Sequence, residues 1–109
     1  MNIDTTQLAT DMINAAKGVV GEKWPATQAY FESESKMFAE RLATIARMRV
    51  DGDISESRAK QHVEMQKEAW ETTLLAVQGL NQLMVEEALN AALKIVKDTV
   101  NTAIGFALL

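Results

Sequence analysis

The sequence predicts an all-α fold: a long antiparallel helical hairpin with a broken first arm, packing into an oligomeric helical bundle. Three observations predict it. Residues 54–109 contain no proline and carry apolar side chains at helical spacing. Asp51-Gly52-Asp53 supplies a turn before them. The segment before that turn is also helical in pattern and nearly matches the second arm in length.

Asp4 opens the first helix. It stands three residues before Gln7, the arrangement of a capping box. Leu8, Met12, Ala15, Ala16 and Val19 follow at helical spacing, so this helix runs from about 5 to 20. Gly18 and Gly21 weaken its end, and Pro25 forbids an unbroken helix through this point. The stretch from Gly18 to Trp24 reads as a kink or short connector, with Pro25 in the first turn of the next helix.

The second helix spans about 25–50. Phe31, Phe38, Leu42 and Ile45 form its apolar stripe, and Ala39, Ala43 and Ala46 narrow the helix beside it. Gly52 then provides the positive φ that ends a helix, and either Asp53 or Ser55 caps the one that follows.

The third helix is expected to run unbroken over about 54–108. At ~1.5 Å per residue it would reach roughly 80 Å. It begins polar and becomes apolar. Ala59, Val63, Trp70, Val77, Leu80 and Met84 form one stripe, while Leu75, Leu83, Ala88, Ala91, Ala92 and Ile95 form a second. Gly79 and Gly105 count as tolerated costs of about 1 kcal/mol against Ala. With the turn centred on Gly52, Phe38 faces Gln66, Lys36 faces Glu68, Arg41 faces Val63 and Glu64, and the first helix lies along Ala88 to Val100.

The chain of 109 residues forms one domain. Two packed helices enclose no interior, so a monomer of this shape is marginal and a homo-oligomer is expected. A helix apolar on two sides is covered on two sides. The expected subunit interface is Leu75, Leu83, Ala88, Ala92, Ile95, Val96, Ile104 and Phe106.

Composition excludes several functions. Cysteine is absent, which removes disulfides, thiol catalysis and thiolate metal sites. The formal charge of -4 argues against general nucleic-acid binding. One histidine, no cysteine and no glycine-rich phosphate loop leave no nucleophile-base-acid set, so no enzyme activity, cofactor or small-molecule substrate is expected. No signal peptide or membrane-spanning stretch is read, and the expected location is cytoplasmic. After Asp98 the chain is uncharged. As helix this end would extend only ~16 Å, half a hydrocarbon core of ~30 Å, so a subunit interface is favoured over membrane contact.

The competing reading is a metal-binding helical bundle that uses Glu32, Glu40, His62, Glu64 and Glu68, completed across a subunit interface. Ferritin-like bundles place Glu-x-x-His on facing helices. Here Ala59 stands three before His62, and no Glu-x-x-His occurs. Asp51-Gly52-Asp53 does not open an EF-hand, because the sixth and twelfth positions counted from Asp51 are Glu56 and His62. The length and hairpin shape are similar to those of WXG100 proteins. The Trp-x-Gly turn of that family is replaced by Val50-Asp51-Gly52-Asp53, so the likeness is one of shape alone. The leading expectation is a non-enzymatic, self-assembling scaffold protein in which helices pair as in a coiled coil.

Overall fold

The computed structural model describes residues 3–77, 79–105, 108 and 109. Among these residues the chain is all-α, with helices α1 (Thr5–Val20), α2 (Trp24–Val50), α3 (Glu56–Leu75) and α4 (Gln82–Ile104). A single 3-10 turn, Gly21–Lys23, joins α1 to α2.

Each boundary has a local cause. The Gln7 N–H donates to Asp4 Oδ1 at 3.0 Å and caps α1. The Gln7 amide does not return to Asp4 but bonds Asp11 at 2.8 Å, so only half of the capping box forms. Gly21 ends α1 with φ 55°, and Pro25 follows inside the first turn of α2, where its missing N–H costs nothing. Gly52, at φ 82°, closes α2, with the Asp53 N–H donating to Met48 O at 2.8 Å. Ser55, not Asp53, caps α3, accepting the Arg58 N–H at 3.1 Å.

The expected unbroken third helix is two helices. After Leu75 the chain tightens, with the Val77 N–H donating to Leu74 O at 3.1 Å. Gly79 then takes φ 93°, and Asn81 caps α4 through Met84 N–H at 2.9 Å. The physical reason is burial. An unbroken helix would leave its second apolar stripe without cover in one chain, whereas a break lets α4 pack on α3 as well as α1.

The first arm folds at the same level. Thr5, Ala9 and Ile13 of α1 line one groove with Glu40, Lys36 and Glu32 of α2, so the two helices run antiparallel, side by side. The break at Gly21–Lys23 is therefore a full reversal and not a kink in a straight arm. The result is an up-down-up-down bundle in which α1 packs on α2 and α4, α2 on α3, and α3 on α4. Its extents are 42 × 22 × 18 Å. The long axis matches the ~40 Å expected of the 27-residue α2.

The predicted partners survive this folding: α2 lies on α3, and α1 lies on α4. The α2–α3 register differs. Phe38 meets Trp70, at 5.1 Å between ring centroids, about one helical turn beyond Gln66. Arg41 Nη1 donates to Gln66 Oε1 at 2.6 Å instead of facing Glu64. The shift follows from the turn, since α3 starts at Glu56 and not at Ile54, which moves the centre of the hairpin beyond Gly52.

The core is continuous. Met12, Phe31, Leu42, Trp70, Leu74, Leu89 and Val96 are all buried in it. Ala16, Ala39, Ala59, Ala88 and Ala92 have no exposed surface and let the helices approach closely.

Candidate interaction surface

Of the eight residues predicted for a subunit interface, seven are described and separate into three groups. Ala88, Ala92 and Val96 are fully buried on the face of α4 that belongs to the common core. They are not surface residues of the folded chain, because α1, folded back, completes the cover of α4. Ile104 is half-buried against the same core. Phe106 lies outside the described residues. Leu75, Leu83 and Ile95 remain at the surface, with 43%, 63% and 56% of their area exposed.

Leu75 is the last residue of α3, and Leu83 stands in the first turn of α4. Both therefore flank the 76–81 reversal, at the end of the bundle away from Gly52. The α1–α2 reversal lies at that end too: a Cβ built on Gly79 would come within 3.8 Å of Lys23 Nζ. At the other end, Arg49, Val50 and Glu56 share a pocket with Ile104 and Gly105. Sequence reasoning passed over further exposed apolar side chains, Tyr30, Met37 and Met65. Tyr30 and Met37 stand seven apart on α2, a spacing that places both on one side of that helix.

The metal candidates do not converge. Glu32 and Glu40 line the α1–α2 groove, a space of about 380 Å³, with Lys36 between them. Lys36 therefore borders α1 and not Glu68, another consequence of the folded first arm. Glu32 also accepts from the Gln28 amide at 2.8 Å. Glu64 lines a separate shallow surface on α3 beside Lys60 and Met65. His62 is half-buried and Glu68 is exposed. Among the described residues no three of His, Asp and Glu are grouped closely enough to hold a metal ion.

The charged tip is partly self-neutralised. Arg49 Nη2 lies 3.5 Å from Glu56 Oε1 across the α2–α3 turn, an exposed pair of at most ~1 kcal/mol. Among the described residues no helix is long and apolar enough to cross a membrane. Leu108 and Leu109 return to the end of α4. Asn101 Oδ1 accepts the N–H groups of Leu108 and Leu109 at 2.9 and 3.0 Å, and Leu108 is buried.

The fold and surface define the class as a four-helix up-and-down bundle with two exposed leucines, Leu75 and Leu83, at the end that holds its double reversal. Comparison with protein-family models, curated proteins and solved structures finds no match.

Proposed function

We propose that this protein is a non-enzymatic helical bundle that works by associating with copies of itself, as a subunit of an assembly or scaffold. The observation that carries the reading is the exposure of Leu75, Leu83 and Ile95 in a chain that already has a buried core of its own. Fully burying a leucine or isoleucine side chain contributes ~1.5–3 kcal/mol, so a partner that covers these three gains appreciably from them. Leu75 and Leu83 lie at one end of the bundle, which concentrates part of that gain in one place. The lack of a cysteine or a second histidine is in keeping with a role in association and not in chemistry.

Sedimentation of the wild-type chain over a range of concentrations tests this, alongside a Leu75→Ser, Leu83→Glu, Ile95→Glu variant. The wild type forms a discrete larger species whose share rises with concentration. The variant keeps its helical circular dichroism and sediments as a monomer. A wild-type mass equal to one chain at every concentration removes the proposal.

A further inference from the structure

The fold is a long hairpin bent double. Both arms reverse at the same end of the molecule, where Gly79 lies beside Lys23. The segments on either side of this paired hinge are themselves antiparallel pairs, α2 with α3 and α1 with α4. Straightening both arms therefore leaves each pair intact and separates only the face between them. That face holds the α1–α2 packing and the smaller α3–α4 packing.

Each hinge turns on a glycine. Gly21 and Gly79 hold positive φ, at 55° and 93°, in a region that residues with a Cβ avoid. The rest of the second hinge is compatible with helix: Ala76, Val77, Leu80 and Asn81 contain no proline, and residues 54–109 read as one continuous helix from their pattern alone. Pro25 keeps α1 and α2 separate helices in either state, so opening there changes the angle between them without extending a helix through it.

We infer that two copies of this chain exchange halves. Each opens at Gly21–Lys23 and at Gly79, and its α1–α4 pair packs on the α2–α3 pair of the other copy. This rests on the self-association reading and specifies its geometry. An exchanged dimer repeats the contacts of the closed chain, so little is lost except at the hinges, and exchange of identical elements is a low-cost route to a dimer. It also gives Leu75 and Leu83 an occupant. They flank the second hinge, and in the exchanged dimer the hinges of two copies cross beside each other, bringing these exposed leucines together. An unexchanged contact elsewhere on the bundle provides no such role for them.

The absence of native cysteine makes the test clean. Thr10→Cys and Lys36→Cys place one thiol on each wall of the α1–α2 groove. The full-length double variant is treated with a short bis-maleimide, and its mass is measured twice: natively by light scattering and after denaturation by gel. A native dimer that denatures to a covalent dimer is the exchanged form. A native dimer whose crosslink stays within one chain overturns exchange but leaves self-association standing. A native monomer with an intrachain crosslink overturns both. Gly79→Ala provides a second readout, since a Cβ opposes φ 93° and favours the helical, open hinge. It raises the share of exchanged dimer on the order of tenfold per chain. A Gly79→Ala protein that is folded and no more dimeric than wild type contradicts the hinge.

Discussion

Phe38 and Trp70 pack at 5.1 Å between ring centroids, tilted by 39°, and lock α2 to α3. Both are almost fully buried, at 4% and 2% exposure. This contact fixes the register of the hairpin, and the Arg41–Gln66 hydrogen bond lies in the same register on the surface. Aromatic pairs of this kind contribute about 0.5–1.5 kcal/mol beyond the area they bury.

Trp70→Ala and Phe38→Ala each remove a large buried ring. Each is expected to lower unfolding stability by about 3–5 kcal/mol. The two losses are expected to be less than additive, because each substitution already removes the shared contact. Urea unfolding of both single variants and the double variant measures this.

The caps provide a sharper check on the helix boundaries. Ser55→Ala removes the acceptor for the Arg58 N–H and is expected to cost ~1 kcal/mol. In the closed single chain, at low concentration, Asn81→Ala removes the acceptor for Met84 N–H and costs a similar amount. Asp53→Ala changes an exposed turn residue and stays within about 0.5 kcal/mol. If residues 54–108 formed one continuous helix, Asn81→Ala would instead stabilise the chain, since Ala is the better helix former.

Those boundaries also show what the residues disclose before folding. Asp4 and Gly52 announce their roles because each sits where an apolar pattern begins or ends, whereas Ser55 shares its cap signal with Asp53. Phe31, Phe38, Leu42 and Trp70 announce the core by their spacing. Gly79 and Asn81 do not, because both are tolerable inside a helix and no proline reinforces them. What breaks the chain there is tertiary: folding both arms double lets α1 pack on α2 and α4 pack on α3. For the same reason Ala88, Ala92 and Val96 read as a stripe awaiting another subunit. A second apolar face does not say whose helix covers it. Leu75 and Leu83 are legible as apolar and periodic, but their exposure depends on a reversal that local pattern does not specify.

Asn101 is the anchor of the chain beyond α4, accepting from Leu108 and Leu109 and donating to Leu109 O at 3.3 Å. Asn101→Ala leaves those backbone groups to water. A loss of about 1–2 kcal/mol is expected, with faster amide exchange at Leu108 and Leu109. Unchanged exchange at those two amides would contradict the clamp.

Ser35 is fully buried, and its hydroxyl has no hydrogen-bond partner among the described residues. Burying an unpaired hydroxyl is costly, and Ala is the better helix former. Ser35→Ala is therefore expected to stabilise the bundle, by up to about 1 kcal/mol. Thermal unfolding of this variant against wild type measures it. A lower melting temperature would mean that the hydroxyl is satisfied in solution.

The central claim is self-association, and the most direct measurement is the mass of the wild-type protein by sedimentation equilibrium across a wide concentration range. The account predicts a species of two or more chains that dissociates toward the 12.0 kDa chain on dilution. A mass of 12.0 kDa at every concentration would contradict it.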